Sequence, residues 1–304
     1  NYVNPEVEVH PSYFGGFHDL SLESPCGRYV AAIKLKGPLI DQREVDIAIL
    51  ELKTNIWSII STSSAFSWQM GVKLHWTDDM TLCFLDIVDD EQVTVLYHLE
   101  TKTRLVKPYP VVHCHKNLAV SYDFGRVERF MPGYGCGASE SSMNIELSIY
   151  NIISNSKWTL SMDTLLRRFP IQETDKVEHF FHHSLFSKDG QYLFFLHRYV
   201  DKSSRRYSRM FIVRTSDKEI KLIRSFNEMV SHITWISERE LIAYARDANG
   251  LDGYYILDVI DDNIVARLFD DFVSDGHPTH IGNGYFISDT YPDRMRNQYL
   301  KIIS

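Results

Sequence analysis

Ser187-Lys188-Asp189-Gly190 is followed by Gln191 to His197 (QYLFFLH), then by Met210 to Val213 (MFIV), a second turn Thr215-Ser216-Asp217-Lys218, and Ile220 to Ile223 (IKLI). Polar turn formers between short runs of aromatic and aliphatic residues read as antiparallel strands joined by hairpins. The next stretch repeats the plan. Trp235-Ile236-Ser237-Glu238 precedes Leu241 to Ala245, then Gly253 to Leu257, a turn at Asp261-Asp262-Asn263, and Ile264 to Leu268. The first turns of successive units fall near residues 25, 78, 116, 188, 237 and 283, and most of the intervals between them are about one constant repeat of 45 to 55 residues.

Four-stranded units of roughly 40 to 50 residues are the blades of a β-propeller. The expectation is an all-β chain, a β-propeller of about six to seven four-stranded blades, forming one domain over residues 1–304 with an insertion loop at about 121–143. The sixth unit stops at Leu300-Lys301-Ile302-Ile303-Ser304, about where a third strand would end, so the C-terminal blade reads as incomplete. A propeller closes because an open end exposes a raw sheet edge. Either N-terminal strands complete the last sheet or a C-terminal piece is missing, and the missing piece is the expectation. Helical periodicity is scarce: Thr164 to Phe169, ended by Pro170, is the best candidate.

The composition, 44% apolar and 24% charged, is that of a folded globular chain rather than a disordered one. A net charge of -8 disfavours a nucleic-acid footprint, which needs a basic face. Apolar runs are short and interrupted, so no membrane span is expected. Cys26, Cys83, Cys114 and Cys136 share no CxxC spacing and are too sparse for a disulfide framework. No secretory leader is visible ahead of the first strands, which with the cysteine usage leans the compartment towards the cytoplasm.

Histidine is the enriched functional residue, with 13 copies. His179, His182 and His183 precede one blade turn, His232 the next, and His277 and His280 the one after. His183, His232 and His277 are about one repeat apart, so a propeller brings these imidazoles together around its axis, as a metal or acid–base site requires. Turn-capping or carbonyl-bonded histidines are the alternative reading. Asp275, in Ser274-Asp275-Gly276-His277-Pro278, and Asp289 and Asp293 converge on the same region, though aspartate beside glycine also forms turns. Arg205-Arg206-Tyr207-Ser208-Arg209 with Arg198 concentrates positive charge in an acidic chain. Arginine binds carboxylates through two parallel hydrogen bonds, so an acidic oligosaccharide or glycan is the expected partner, with a protein partner as the other possibility and a solvated hairpin tip as the bland one. His113-Cys114-His115 would place 113 and 115 on one strand face and 114 on the other, with nothing nearby to complete a metal shell. Arg129 to Gly135 has phosphate-loop glycine spacing but lacks a strand-then-helix setting, so a surface loop is expected. No GxSxG elbow, HExxH helix or P-loop is present.

Phe14-Gly15-Gly16-Phe17-His18-Asp19, Trp68-Gln69-Met70-Gly71, Met131-Pro132-Gly133-Tyr134-Gly135, Ser231-His232-Ile233-Thr234-Trp235, Asp275-Gly276-His277-Pro278 and Asp289-Thr290-Tyr291-Pro292-Asp293 resemble the signature segments of an uncharacterised bacterial family of TolB-like β-propellers. Residues 179 to 290 also distantly resemble oligogalacturonate lyase. That resemblance implies a propeller using Mn²⁺ for β-elimination of uronate-containing oligosaccharides. It places His232 as the proton-abstracting base, Arg209 near the catalytic arginine, and His277 at one metal-ligating position. Arg198, Arg206, His183 and Asp275 are the substrate-binding candidates. The lyase's remaining metal ligands come from a later blade, which lies beyond Ser304.

Overall fold

The structure, a computed structural model, describes residues 13–36, 44–138, 145–171, 177–268 and 274–303. Its described strands form six antiparallel sheets: five of four strands and a last one of three. This is the β-propeller expected from the repeat, and among the described residues its last blade has three strands. The chain falls into two compact units, residues 1–110 with 131–139, and residues 111–130 with 140–304.

The first unit holds two blades. Blade one is β1 (Tyr13–Phe14), β2 (Tyr29–Leu35), β3 (Val45–Glu51) and β4 (Ile56–Ser63), and blade two is β5 (His75–Trp76), β6 (Thr81–Val88), β7 (Glu91–His98) and β8 (Thr103–Lys107). Inner strands are buried on both faces, so they read as near-continuous apolar runs such as Leu82-Cys83-Phe84-Leu85. Two of the segments that carry the family resemblance meet here. At Gly71 (φ +61°) a Cβ would lie 3.1 Å from the Gly16 Cα and 2.7 Å from Ile33 Cδ1, so two backbones touch where neither position admits a side chain. Beside them Lys73 Nζ reaches both carboxylate oxygens of Asp19 at 3.2 and 3.3 Å, and both side chains are buried. Gln92 Nε2 donates to the carbonyls of Gly135 and Cys136, so the glycine-spaced run is anchored as a loop.

The second unit holds four blades. Blade three is β9 (His113–His115), β10 (Leu118–Tyr122), β11 (Glu146–Asn151) and β12 (Lys157–Ser161), with helix α1 (Phe124–Phe130) leaving β10 inside the expected insertion. Helix α2 (Met162–Arg168) follows, capped by Ser161, whose Oγ accepts from the Thr164 amide. It starts two residues earlier than the sequence pattern suggests because Met162 and Leu165 are buried and anchor the first turn. Blade four is β13 (Glu178–Phe186), β14 (Tyr192–Val200), β15 (Arg206–Arg214) and β16 (Ile220–Leu222). Blade five is β17 (Phe226–Trp235), β18 (Glu240–Asp247), β19 (Asp252–Asp258) and β20 (Asn263–Leu268). Blade six is β21 (Thr279–Gly282), β22 (Tyr285–Asp289) and β23 (Leu300–Ile303).

Adjacent blades are joined by buried aromatic side chains that also carry a hydrogen bond. Trp235 Nε1, at the end of β17, donates to the Leu185 carbonyl of β13 at 3.1 Å, while its ring lies 6.0 Å from that of Phe194. In blade four Phe195 is wholly buried, stacks on Phe211 at 5.2 Å with planes 7° apart, and meets Phe181 edge-on at 5.5 Å. Truncating it removes the ring from three strands at once. Phe195→Ala is expected to lower the unfolding free energy by about 3 to 5 kcal/mol, read from denaturant melts; a loss below about 1 kcal/mol would contradict this packing.

Candidate functional site

The one-repeat spacing of histidines places them as neighbours. The rings of His183 and His232 are 6.5 Å apart between centroids, and those of His232 and His277 are 4.2 Å apart. His183 comes from β13, His232 from β17 and His277 from the segment entering β21. Tyr291 lies alongside, 6.5 Å from the His232 ring and 6.0 Å from that of His277.

Irregular strands aim these side chains. The β13–β14 register slips by one between His182 and Ser184, so His183 is the extra residue of a bulge, with φ +41°. A left-handed conformation at a non-glycine residue is uncommon and is held only by its surroundings. The β17–β18 register also slips, between Val230 and Ile233, on either side of His232. Bulges redirect side chains and cluster beside active sites. Both imidazoles are largely buried.

Two carboxylates fix two of the rings. Asp275 Oδ1 lies 2.9 Å from His232 Nδ1, and its Oδ2 accepts from Ser231 Oγ at 2.8 Å. Asp289 brings both oxygens to 2.9 Å from His277 Nδ1 and also accepts from the His277 amide at 2.7 Å. A carboxylate accepts, so each neutral ring carries its proton on Nδ1 and its lone pair on Nε2. Asp275, read in the sequence as substrate-binding, is placed to orient His232. Asp293 instead accepts from the backbone amides of Met295 and Asn297 and shapes an exposed turn. His280 lies against Phe286 at 5.2 Å, and burial lowers its pKa.

Carboxylate-bound imidazoles are what surround many metal ions, and His277 has that arrangement. A protein metal site needs at least three converging ligands. Among the described residues of this unit no three histidine, cysteine or carboxylate ligand atoms lie within 4.8 Å of one another. These residues do not by themselves make up an Mn²⁺ site.

The arginines separate. Arg209, buried in β15, faces His197 of β14 across the strand pair; its Nε and Nη2 donate to His197 Nδ1 at 3.2 and 3.1 Å. Its guanidinium also donates to the carbonyls of Phe169 and Pro170 at the end of α2, at 2.9 and 3.3 Å. Among the described residues it makes no hydrogen bond to His183, His232 or His277. Because arginine only donates, His197 must hold its proton on Nε2 and donate it to His179 Nδ1, 2.9 Å away. Burial, with the Arg209 charge second, keeps His197 well below the usual imidazole range and His179 at about 4, with Arg126 adding to the effect on His179. Arg126 holds that end of β13 in place, donating to the His179 carbonyl and to Glu178. Arg198, between His197 and Tyr199, projects to the opposite face of the sheet and is buried. Arg206 is exposed at the start of β15.

His113 and His115 sit on one face of β9 and the buried Cys114 on the other, as alternation requires. His113 Nδ1 accepts from the Phe186 amide at 3.2 Å, and the His115 ring fills the space beside Gly190. The Arg209–His197–His179 chain was invisible in the sequence: only the β14–β15 register and the end of α2 bring its parts together. The positive signal available was the His179/His197 pair of histidines in strands of one hairpin.

Gly276 has no room for a side chain: a Cβ there would lie 2.1 Å from the Asp289 carbonyl oxygen and 3.0 Å from the Tyr254 hydroxyl. Gly276→Ala should therefore push Asp275 and His277 apart and cost about 1 to 3 kcal/mol, seen as a lowered melting temperature; an unchanged melt would refute this contact. For His179 the folded pKa lies below the unfolded one. Its contribution is thus intact above the unfolded value and is lost as pH falls from about 6.5 towards about 4. The wild type should lose more stability than His179→Asn across that window, and parallel curves would contradict a buried neutral His179.

No protein-family model matches the chain, and no curated protein sequence does. Solved structures similar to it include TolB and other β-propellers. TolB from Acinetobacter baumannii shares 14% identity with a TM-score of 0.50, over 91% of this chain and 61% of that one. An acylaminoacyl peptidase from Pyrococcus horikoshii shares 14% identity with a TM-score of 0.55, over 95% of this chain and 46% of that one. The β-propeller domain of the Trilobed protease from Pyrococcus furiosus shares 12% identity with a TM-score of 0.55, over 96% and 82%. The chain thus spans under two thirds of the TolB structure and under half of the peptidase. At these identities the likeness is one of fold: the chain has a β-propeller fold like that of TolB.

Proposed function

We propose that the protein acts on a carbohydrate bearing a carboxylate, with His232 as general base in a β-elimination. The observation that supports it is the pair of carboxylate-held imidazoles, His232 with Asp275 and His277 with Asp289, whose ring centroids are 4.2 Å apart. Asp275 holds the His232 proton on Nδ1, which leaves Nε2 to take a proton from substrate. In a uronate the C5 proton is acidified by the adjacent carboxylate. Nε2 takes that proton, the C5–H electron pair becomes the C4=C5 double bond, and the C4–O bond breaks with its oxygen accepting a proton. Water held at the outward Nε2 lone pair of His277, which Asp289 fixes through Nδ1, is suited to give that proton, and the protonated His232 then returns its own proton to the hydroxide left behind. The substrate carboxylate would be met by arginine, for which Arg198, Arg206 and Arg209 of blade four are the candidates.

A second reading is a non-catalytic propeller that binds a glycan or a protein. The placement of Arg209 favours it, because three of its hydrogen-bonding directions are used on His197 and the end of α2. Incubation with a panel of uronic oligosaccharides, with and without added Mn²⁺, separates the two. The lyase reading expects growth of the unsaturated-uronate absorbance band and a loss of about 10²-fold or more in rate for His232→Ala, the scale of a missing general base. No signal above the His232→Ala background in either condition would leave the binding module.

A further inference from the structure

The edge of blade four carries a second surface. A groove of about 590 Å³ runs along β16, with Phe169, Ile212, Ile220, Leu222, Val259 and Ile260 among the side chains lining it. Four cations, Arg168, Arg214, Lys221 and Arg224, line the same groove against two acids, Glu219 and Asp262. Two of the four are already engaged: Arg214 pairs with Asp217 and Glu219, and Lys221 Nζ donates to the carbonyls of Val259 and Ile260. Asp262 is engaged too, accepting from the amides of Arg224 and Ser225. The guanidinium groups of Arg168 and Arg224 are exposed and form no ion pair among the described residues, although the chain as a whole carries a net charge of -8.

The strand at the centre of this groove is open on one side. β16 closes the sheet order β13-β14-β15-β16 and, among the described residues, pairs only with β15. Arg214 N donates to the Glu219 carbonyl and Ile223 N to the Met210 carbonyl. In an antiparallel ladder the inward and outward positions alternate, so Glu219, Lys221 and Ile223 face β15. The N–H and C=O of Ile220 and Leu222 therefore point outward, towards where a fifth strand would lie. An exposed edge above an apolar floor is a template for strand addition, with main-chain bonds giving affinity and alternate side chains giving specificity.

We propose that this groove binds an extended acidic peptide segment of a partner protein, which pairs with Ile220 and Leu222, lays apolar side chains over the floor, and sets its carboxylates against Arg168 and Arg224. This is independent of the chemistry proposed for the histidines. Charge selects the occupant: a basic segment would be unmatched by the two exposed arginines, and an acidic sugar has no main chain to pair with the edge.

A random dodecapeptide library displayed on phage, selected on the protein and counter-selected on the Arg168→Glu/Arg224→Glu double variant, tests it. Both substituted side chains are exposed, and a melting curve matching the wild type establishes that the variant folds. Selection should enrich peptides in which Asp or Glu alternates with β-branched residues, and the variant should bind them at least tenfold more weakly. Hydrogen exchange adds a backbone readout: bound peptide should slow the amides of Ile220 and Leu222 and leave those of Lys221 and Ile223 unchanged. Enrichment of basic peptides, no peptide that discriminates the variant, displacement by oligogalacturonate without protection of Ile220, or self-association in place of peptide binding would each overturn the proposal.

Discussion

The hydrogen bond that His232 Nδ1 donates to Asp275 is the interaction on which the candidate site rests. It crosses from the entry of one blade to the first strand of the preceding one, so it joins position and chemistry. A histidine at the end of a strand can turn either nitrogen outward; a carboxylate at Nδ1 leaves one tautomer and one orientation. Asp289 does the same for His277 within its own blade. Two separately held rings are then close enough to act on one substrate, which no single blade could arrange.

Local strain accompanies this placement. His183 occupies a left-handed bulge position, the strand bearing His232 slips register beside it, and Gly276 lets Asp275 and His277 pass under the Asp289 carbonyl. Regular strands would alternate these side chains between sheet faces and scatter them. The deviations occur in deeply buried strands, supported by Trp235 and the Phe181, Phe195 and Phe211 cluster. A site that depends on orientation gains from such support.

The propeller was legible because its blades repeat: the turn clusters near 25, 78, 116, 188, 237 and 283 each fall between the first and second strands of a sheet. The convergence of His183, His232 and His277 followed from the same period. What spacing could not convey was how side chains pair across strands. Asp275 and Arg209 were visible as charged residues, but their partners are set by register, by bulges and by the carbonyl end of α2. Helix α1 went unread because its seven residues make barely two turns, too few for a helical apolar repeat to show, and Gly125 and Arg126 are buried along with Phe124 and Val127. The edge of β16 was legible as a strand but not as an open one, since sheet order is a property of the fold.

The placement of the imidazole protons can be read directly. In mildly alkaline solution, nitrogen-15 spectra of the imidazole rings should show His232 and His277 with a protonated Nδ1 and an unprotonated Nε2, and Asp275→Asn should change that pattern at His232 alone. Spectra showing both rings protonated on Nε2, or a His232 signal that ignores the loss of the Asp275 charge, would contradict it.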